Sequence, residues 1–253
     1  MTNEPSDGDS HGVRRPDGDS HGVRRPDGRG GPHVFVDDLS TPVLSDEDQH
    51  HLGRVRRLRH GDPITVGDGR GSWAAARFAP VAELEHEPIV VPEPAVPIAV
   101  GIVAVKGDRT TWAVQKLTEI GVDRILLLSS SRSVVRWKGE KGEAAVRRLD
   151  GVARSAAVQS RRVHLPVIEP VTNATEVMAR DGVAVAQWGG APVGLEHPTI
   201  LVGPEGGWDS AEIDAARATV DLGPGVLRAE TAAVVAGTLL QAIRTGMMRH
   251  HSE

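Results

Sequence analysis

The sequence predicts an α/β protein: a small β-barrel-like unit followed by a larger parallel-sheet domain of Rossmann-like type. Three observations predict it. From Ile98 onward, apolar runs of strand length alternate with amphipathic runs of helix length, the pattern of a parallel sheet with helical crossovers. Before Pro88, short β-rich runs are separated by Gly/Asp turns, as in a small barrel. Between the two, Pro88, Pro92, Pro94 and Pro97 mark a connecting segment. The expected boundaries are an extension over 1–31, a barrel over 32–92, a linker over 93–97 and the large domain over 98–250.

The extension carries a decamer, DGDSHGVRRP, at Asp7–Pro16 and again at Asp17–Pro26, with a third copy starting at Asp27. It has almost no apolar residues, so burial cannot offset the entropy of ordering it, and disorder is expected. His11 and His21, isolated in such a tail, do not make a metal site. Order should begin near His33. HVFVDD alternates as a strand, and Asp46 to Leu58 reads as a short helix with apolar Leu52, Val55 and Leu58. Strands are expected at Ile64–Val66, Trp73–Phe78 and Val81–Leu84.

In the large domain, strand Ile98–Val103 leads to helix Thr111–Ile120, which Gly121 stops. Strand Arg124–Leu128, a polar loop and a long helix from Glu140 to Gln159 follow. Then come strand Val163–Ile168, helix Ala174–Arg180 and strand Val183–Trp188. The last part holds two similar loops. Strand Thr199–Val202 runs into Gly203-Pro204-Glu205-Gly206-Gly207, with Asp209 and Glu212 forming a capping box for the next helix. Strand Val220–Leu222 runs into a second glycine turn before the apolar helix from Ala229 to about Met248. Glycine turns at the carboxyl ends of strands expose bare backbone N–H groups, and the pair reads as one ligand site built from two loops. No Lys-Ser or Lys-Thr follows Gly207, which argues against a P-loop, and neither turn has G-x-G-x-x-G spacing.

With no cysteine among 253 residues, disulfides, thiol nucleophiles and cysteine-ligated metals are excluded. No His/Asp/Glu cluster has ligand spacing, so no metal is expected and a metal-dependent hydrolase is the weakest reading. No run approaches a transmembrane length and the N-terminus has no apolar signal core, so a cytoplasmic protein without membrane contact is expected. The net charge of −5 conceals local patterning. Between Arg124 and Arg162 there are ten Lys/Arg against three acids, and Arg54, Arg56, Arg57 and Arg59 form a second cluster. Such runs are either solvated faces or phosphate contacts.

Specific motifs occur in one order: KGDR (Lys106–Arg109), QKLTEIGV (Gln115–Val122), RSVVRW (Arg132–Trp137), QSRR (Gln159–Arg162), LVGPEGG from Leu201 and LGPGVLRAETA from Leu222. In that order they resemble the RsmE family, the ribosomal RNA N3-uridine methyltransferases of the SPOUT superfamily. HHLGRVRRLRHGD and GDGRG resemble that family's N-terminal PUA-like barrel, so the likeness spans roughly residues 33–248. Gly225, Val158 and Trp208 depart from the family pattern, which more often has Arg, an acid, and a smaller apolar residue or Phe there.

The resemblance implies a SPOUT Rossmann-like sheet with a C-terminal trefoil knot, a homodimer with its site at the subunit interface, and S-adenosylmethionine as cofactor. Carried over, the cofactor site comprises Leu201, Val202, Gly203, Pro204, Glu205, Gly206 and Gly207 with Leu222, Gly223, Val226 and Leu227. Leu201, Leu222, Val226 and Leu227 would wall the adenine. The substrate implied is 16S ribosomal RNA or the assembled small ribosomal subunit.

N3 of uracil must lose its proton to attack, which requires a base or a cation that stabilises the uracil anion. The candidates in the family motifs are Arg228, Glu230, Glu205 and Glu119; Arg228 is the expected cation, stabilising negative charge on the base or holding a neighbouring phosphate. Glu230 either accepts a proton or favours the start of the last helix by its charge. Arg56, Arg57 and Arg59, with Arg132, Arg136, Arg161 and Arg162, are the expected RNA contacts; with no tyrosine and two phenylalanines, aromatic stacking on bases is expected to be minor, and Trp137 is the one exposed-loop candidate for it. The alternatives are another SPOUT methyltransferase, acting on ribose 2′-hydroxyls or transfer RNA, and a non-catalytic RNA-binding ribosome-assembly factor.

Overall fold

The computed structural model describes residues 26–27, 30–137 and 139–248. The decamer copies before Pro26, with His11 and His21, lie outside the described residues. Strands β1 (His33–Phe35), β2 (Pro63–Gly67), β3 (Ser72–Arg77), β4 (Glu83–Leu84) and β5 (Ile89–Val90) form one five-stranded sheet. β1 runs parallel to β2, and β3 is antiparallel to β2, β4 and β5. β5 thus draws the start of the proline-rich segment into the small domain. Helix α1 (Asp46–His50) begins at Ser45, whose hydroxyl accepts from the Asp48 N–H at 3.1 Å. It widens into a π turn over His51–Val55, which buries Leu52 and leaves Arg54 and Val55 in solvent. The small core is Val34, Val36, Leu44, Leu52, Ile64 and Val66 with small alanines of β3.

The second sheet has six strands in the order β11-β9-β10-β6-β7-β8, all parallel. In chain order the elements are β6 (Ala99–Val103), α2 (Arg109–Ile120), β7 (Arg124–Ser129), α3 (Glu140–Ser160), β8 (Val167–Asn173), α4 (Ala174–Met178), β9 (Val183–Ala191), β10 (Thr199–Val202), α5 (Ser210–Ala215), β11 (Thr219–Val220) and α6 (Ala229–Arg244). Central strands β6 and β10 are apolar on both faces because helices cover both sides. On one side α2, α3 and α6 bury Leu117, Leu149, Ala233 and Leu240 over Val100, Ile102 and Ile125. On the other, Met178 and Trp208 cover Val103, Leu126 and Leu201. Each fully buried Leu contributes about 1.5–3 kcal/mol. α6 approaches α2 closely at Gly237, where an added Cβ would lie 2.8 Å from Leu117 Cδ2 and 2.9 Å from Val122 Cγ2.

The eighth strand differs from the expected Val163–Ile168. Pro166 cannot donate to a ladder, and the residues before it pair with the small domain instead. The Gly71 N–H donates to Val163 O at 3.0 Å, and the Leu165 N–H to Gly69 O at 2.9 Å. β8 starts only at Val167 and runs on to Asn173, which caps α4.

The same seam joins the domains through α3. Arg154 donates to Phe35 O at 3.0 Å with its guanidinium 5.2 Å from the Phe35 ring centroid, and Arg161 donates to Gly31 O at 2.6 Å. His33 is buried at this seam, paired with Thr65 Oγ1 at 2.9 Å. Burial, with the Arg161 guanidinium nearby, pushes its pKa down to about 4. His33 is therefore neutral when folded and binds a proton more readily when unfolded. Its stabilisation is complete above the unfolded value of about 6.5 and is lost as pH falls toward 4. The melting midpoint is expected to drop across that window, and the drop should flatten in His33→Gln; an unchanged profile would show that His33 does not control it.

Candidate active site

The first glycine loop leaves β10 at Val202. Gly203 has no room for a side chain: a Cβ there would lie 2.9 Å from the Trp208 indole, which packs over it. The loop closes where the Gly207 N–H donates to Pro204 O at 2.8 Å, with Gly207 at φ 69°. The expected capping box is present: Asp209 Oδ1 accepts from the Glu212 N–H at 2.8 Å, and Glu212 Oε2 from the Asp209 N–H at 3.0 Å.

Glu212 does more than cap. It is buried, and its Oε1 accepts from the Ser131 N–H at 2.9 Å, while the Ser131 hydroxyl bonds Asp209. That hydroxyl, together with the Glu212 N–H, holds the Asp209 carboxyl below the usual range. Arg132 completes the clamp by donating to Gly206 O at 2.9 Å. The loop after β7 is thereby bound to the first glycine loop.

The second loop is held by Asp221. One carboxylate oxygen accepts from the Gly223 N–H and the other from the Gly189 N–H at the end of β9, each at 2.8 Å. These backbone donors, Gly223 first, lower the Asp221 pKa. Gly223 sits at φ 125°, a conformation that favours glycine. Beyond it Val226 and Leu227 stand in solvent, as does Trp188 on β9. Arg228 is the N-cap residue of α6; its side chain is exposed and forms no hydrogen bond or ion pair among the described residues. Glu230 lies in the first turn of α6, where its charge favours the helix dipole, and its Oε2 is buried without a hydrogen-bond partner.

Arg109, the first residue of α2, brings the loops together. Its Nη1 pairs with Glu205 of the first loop and stands 4.0 Å from Glu230 Oε2 beyond the second. Its Nε donates to Lys106 O at 3.2 Å, which folds the KGDR segment under the guanidinium. Within the KGDR motif nothing local marks Arg109 for a role; the signal in the sequence is two acids, Glu205 in the first glycine turn and Glu230 at the start of the last helix, each needing a cation.

Of the expected cofactor residues, Gly203, Pro204, Glu205, Gly206, Gly207, Leu222, Gly223, Val226 and Leu227 lie on these two converging loops. Leu201 and Val202 do not present side chains to them. Leu201 is fully buried against Gly101, where an added Cβ would come within 2.5 Å of it, so it fills the core and walls nothing outside. Among the cations, Arg56, Arg57, Arg59, Arg132 and Arg136 are exposed. Arg161 and Arg162 are not free for phosphate. Arg161 holds Gly31, and the Arg162 guanidinium packs so tightly on Gly121 that a Cβ there would lie 2.0 Å from Nη1. Among the described residues, no group of three or more His, Cys, Asp or Glu side chains is arranged to hold a metal ion, and no helix is long and apolar enough to cross a membrane.

This arrangement has known relatives. The RNA methyltransferase domain family matches residues 92–241, and the RNA methyltransferase PUA domain matches residues 44–81. Ribosomal RNA small subunit methyltransferase E of Mycobacterium tuberculosis is 32% identical over 231 residues, covering 80% of this chain and 88% of that protein. The chain belongs to the RsmE family of RNA methyltransferases. The RsmE protein of Bacillus subtilis is 28% identical over 229 residues, covering 79% of this chain and 90% of its own. The crystal structure of RsmE from Neisseria gonorrhoeae bound to S-adenosyl methionine superposes with a TM-score of 0.72 at 29% identity, covering 84% of this chain and 97% of that one. A probable rRNA methyltransferase from Porphyromonas gingivalis gives a TM-score of 0.73 at 27% identity, covering 86% and 100%. RsmE membership thus extends over both domains.

Proposed function

We propose that this protein transfers a methyl group from S-adenosylmethionine to N3 of one uridine in 16S ribosomal RNA, acting in the cytoplasm as a homodimer. The observation that carries the reading is the convergence of two glycine loops on Arg109, with a free cation, Arg228, beside them. The residues fit the proposed donor. The first loop offers bare backbone with open space at Gly207, Val226 and Leu227 are uncovered apolar surface suited to an adenine, and Glu230 Oε2 is a buried oxygen lacking a hydrogen-bond partner among the described residues. The proposed C-terminal knot is supported by the chain path, which enters the sheet centre at β10, leaves to the edge at β11 and returns as α6 over α2 and β6. The dimer is supported by exposed Trp188, Val226 and Leu227 next to the loops.

When bound, the donor supplies an electrophilic methyl on a sulfonium. The protein's part is positioning, which lowers the barrier by removing orientational freedom beforehand. Asp221 fixes the second loop and the Ser131–Glu212 clamp fixes the first. Arg228, unpaired and exposed, stabilises negative charge on the uracil as its N3 proton leaves. Glu230, held near Arg109, accepts that proton or keeps the α6 start in place. Exposed Arg56, Arg57 and Arg59 grip RNA backbone from the small domain.

Mass mapping of nucleotides in ribosomal RNA treated with protein and donor tests this. A single new N3-methyluridine in the small-subunit RNA is expected. A methylated ribose, a modified transfer RNA, or donor binding without any transfer would overturn it.

A further inference from the structure

A cavity opens beside the first glycine loop, at the carboxyl ends of β7 and β8, with a volume of about 780 Å³. That volume is within the range of small-molecule sites and exceeds what one base requires. Arg109, Glu205 and Glu230 are not among its lining residues, so it is separate from the converging loops. Its wall is mixed. Trp137 and Val171 supply an apolar side, and both are half-buried against the core. Arg136 stands exposed at the rim with no ion pair among the described residues.

Asn173 uses its Oδ1 to accept from the Thr175 N–H at 3.0 Å and the Thr175 hydroxyl at 2.7 Å. Its amide N–H groups make no hydrogen bond among the described residues and are free to donate. Three carboxylates also line the cleft, and each is engaged: Glu143 pairs with Arg147 at 3.8 Å, Asp209 accepts from the Ser131 hydroxyl and Glu212 from the Ser131 N–H. Beside them stand an aromatic plane, a cation and an amide donor, the set that single-stranded RNA recognition uses: a face for stacking, a charge for phosphate and an edge-reading group.

We propose that this cleft is a nucleotide subsite, taking one unstacked RNA base that flanks the methylated uridine. The base stacks on Trp137, a neighbouring phosphate meets Arg136, and Asn173 donates to a base carbonyl. The inference rests on the RNA methyltransferase reading above and deepens it. It also links recognition to chemistry, because the cleft shares a wall with the first glycine loop. Ser131, Asp209 and Glu212 line the cleft, and their mutual bonds clamp that loop.

The test uses the full chain and transcribed small-subunit ribosomal RNA. Trp137→Leu keeps apolar volume but removes the stacking plane, Trp137→Phe keeps a plane, and Arg136→Ala changes an exposed side chain whose loss does not threaten folding. RNA dissociation constants are expected to rise about tenfold in Trp137→Leu and in Arg136→Ala, and to stay within about twofold of wild type in Trp137→Phe. KM for RNA should follow, with kcat and calorimetric binding of S-adenosylmethionine unchanged.

Equal RNA affinity in Trp137→Leu and wild type overturns the subsite. Weakened donor binding in Trp137→Leu places the cofactor in the cleft and overturns it as well. A loss of kcat at constant KM reduces Trp137 to a packing role. If wild type binds RNA but transfers no methyl group, the functional reading fails, while the affinities still decide whether the cleft holds RNA.

Discussion

Arg228→Ala is expected to lower methyl transfer by about 10²–10³-fold while leaving S-adenosylmethionine affinity near wild type. The size follows from the loss of one preorganised charge aimed at an anion that exists only as the reaction proceeds. The selectivity follows from placement. The Arg228 side chain has no hydrogen-bond or ion-pair partner among the described residues, so its removal breaks no such contact there, and its backbone carbonyl still accepts from the Ala232 N–H at 2.8 Å to start α6. Single-turnover rates alongside donor titration by calorimetry check the point. Full activity would remove Arg228 from the mechanism, and lost donor binding would reassign it to the cofactor.

Arg109→Ala is expected to damage the site as a whole. Glu205 on the first loop and Glu230 in the first turn of α6 share this guanidinium. Without it two carboxylates face each other, one with a buried oxygen that lacks a hydrogen bond. Stripping the partner from a partly buried charge costs about 1–3 kcal/mol, which is about 2–12 °C of melting midpoint in a domain of this size. The loops also lose their common anchor, and displacement of about 1 Å costs roughly 10²-fold in rate. Both midpoint and transfer rate should therefore fall. Arg109→Lys should recover little activity, since a point charge cannot serve two acids in different directions as a planar fork does. Adding Glu230→Gln to Arg109→Ala should recover the midpoint without recovering transfer. Recovery of both would show that Arg109 acts only through charge balance.

Much of this was written locally in the chain. The capping box at Asp209 and Glu212, the stop at Gly121, and the strand Thr199–Val202 depend on neighbours within a few residues, and they appear where the pattern places them. What failed depended on distant partners. Val163–Leu165 has strand composition, but its hydrogen bonds go to Gly69 and Gly71 of the other domain, and Pro166 breaks the run. Arg161 and Arg162 read as part of a basic patch because composition cannot say that a guanidinium is spent on Gly31 or packed on Gly121. Leu201 belongs to the binding motif by position, yet helices cover both faces of β10 and its side chain fills the core. The tie from Arg109 to Glu205 spans a sequence separation of 96 residues, and no local rule reaches that far.

The strut formed by α3 sets a physical ruler for the substrate. Its 21 residues reach from the cleft beside the glycine loop to the small domain, where Arg154 and Arg161 fasten it, a length of about 30 Å. Because the seam is packed and hydrogen-bonded, the distance between the gripping end and the reacting end is fixed rather than adjusted to each target. A substrate that engages both ends must present structure over about 30 Å, so selection by such a ruler would act on length and shape as much as on local sequence.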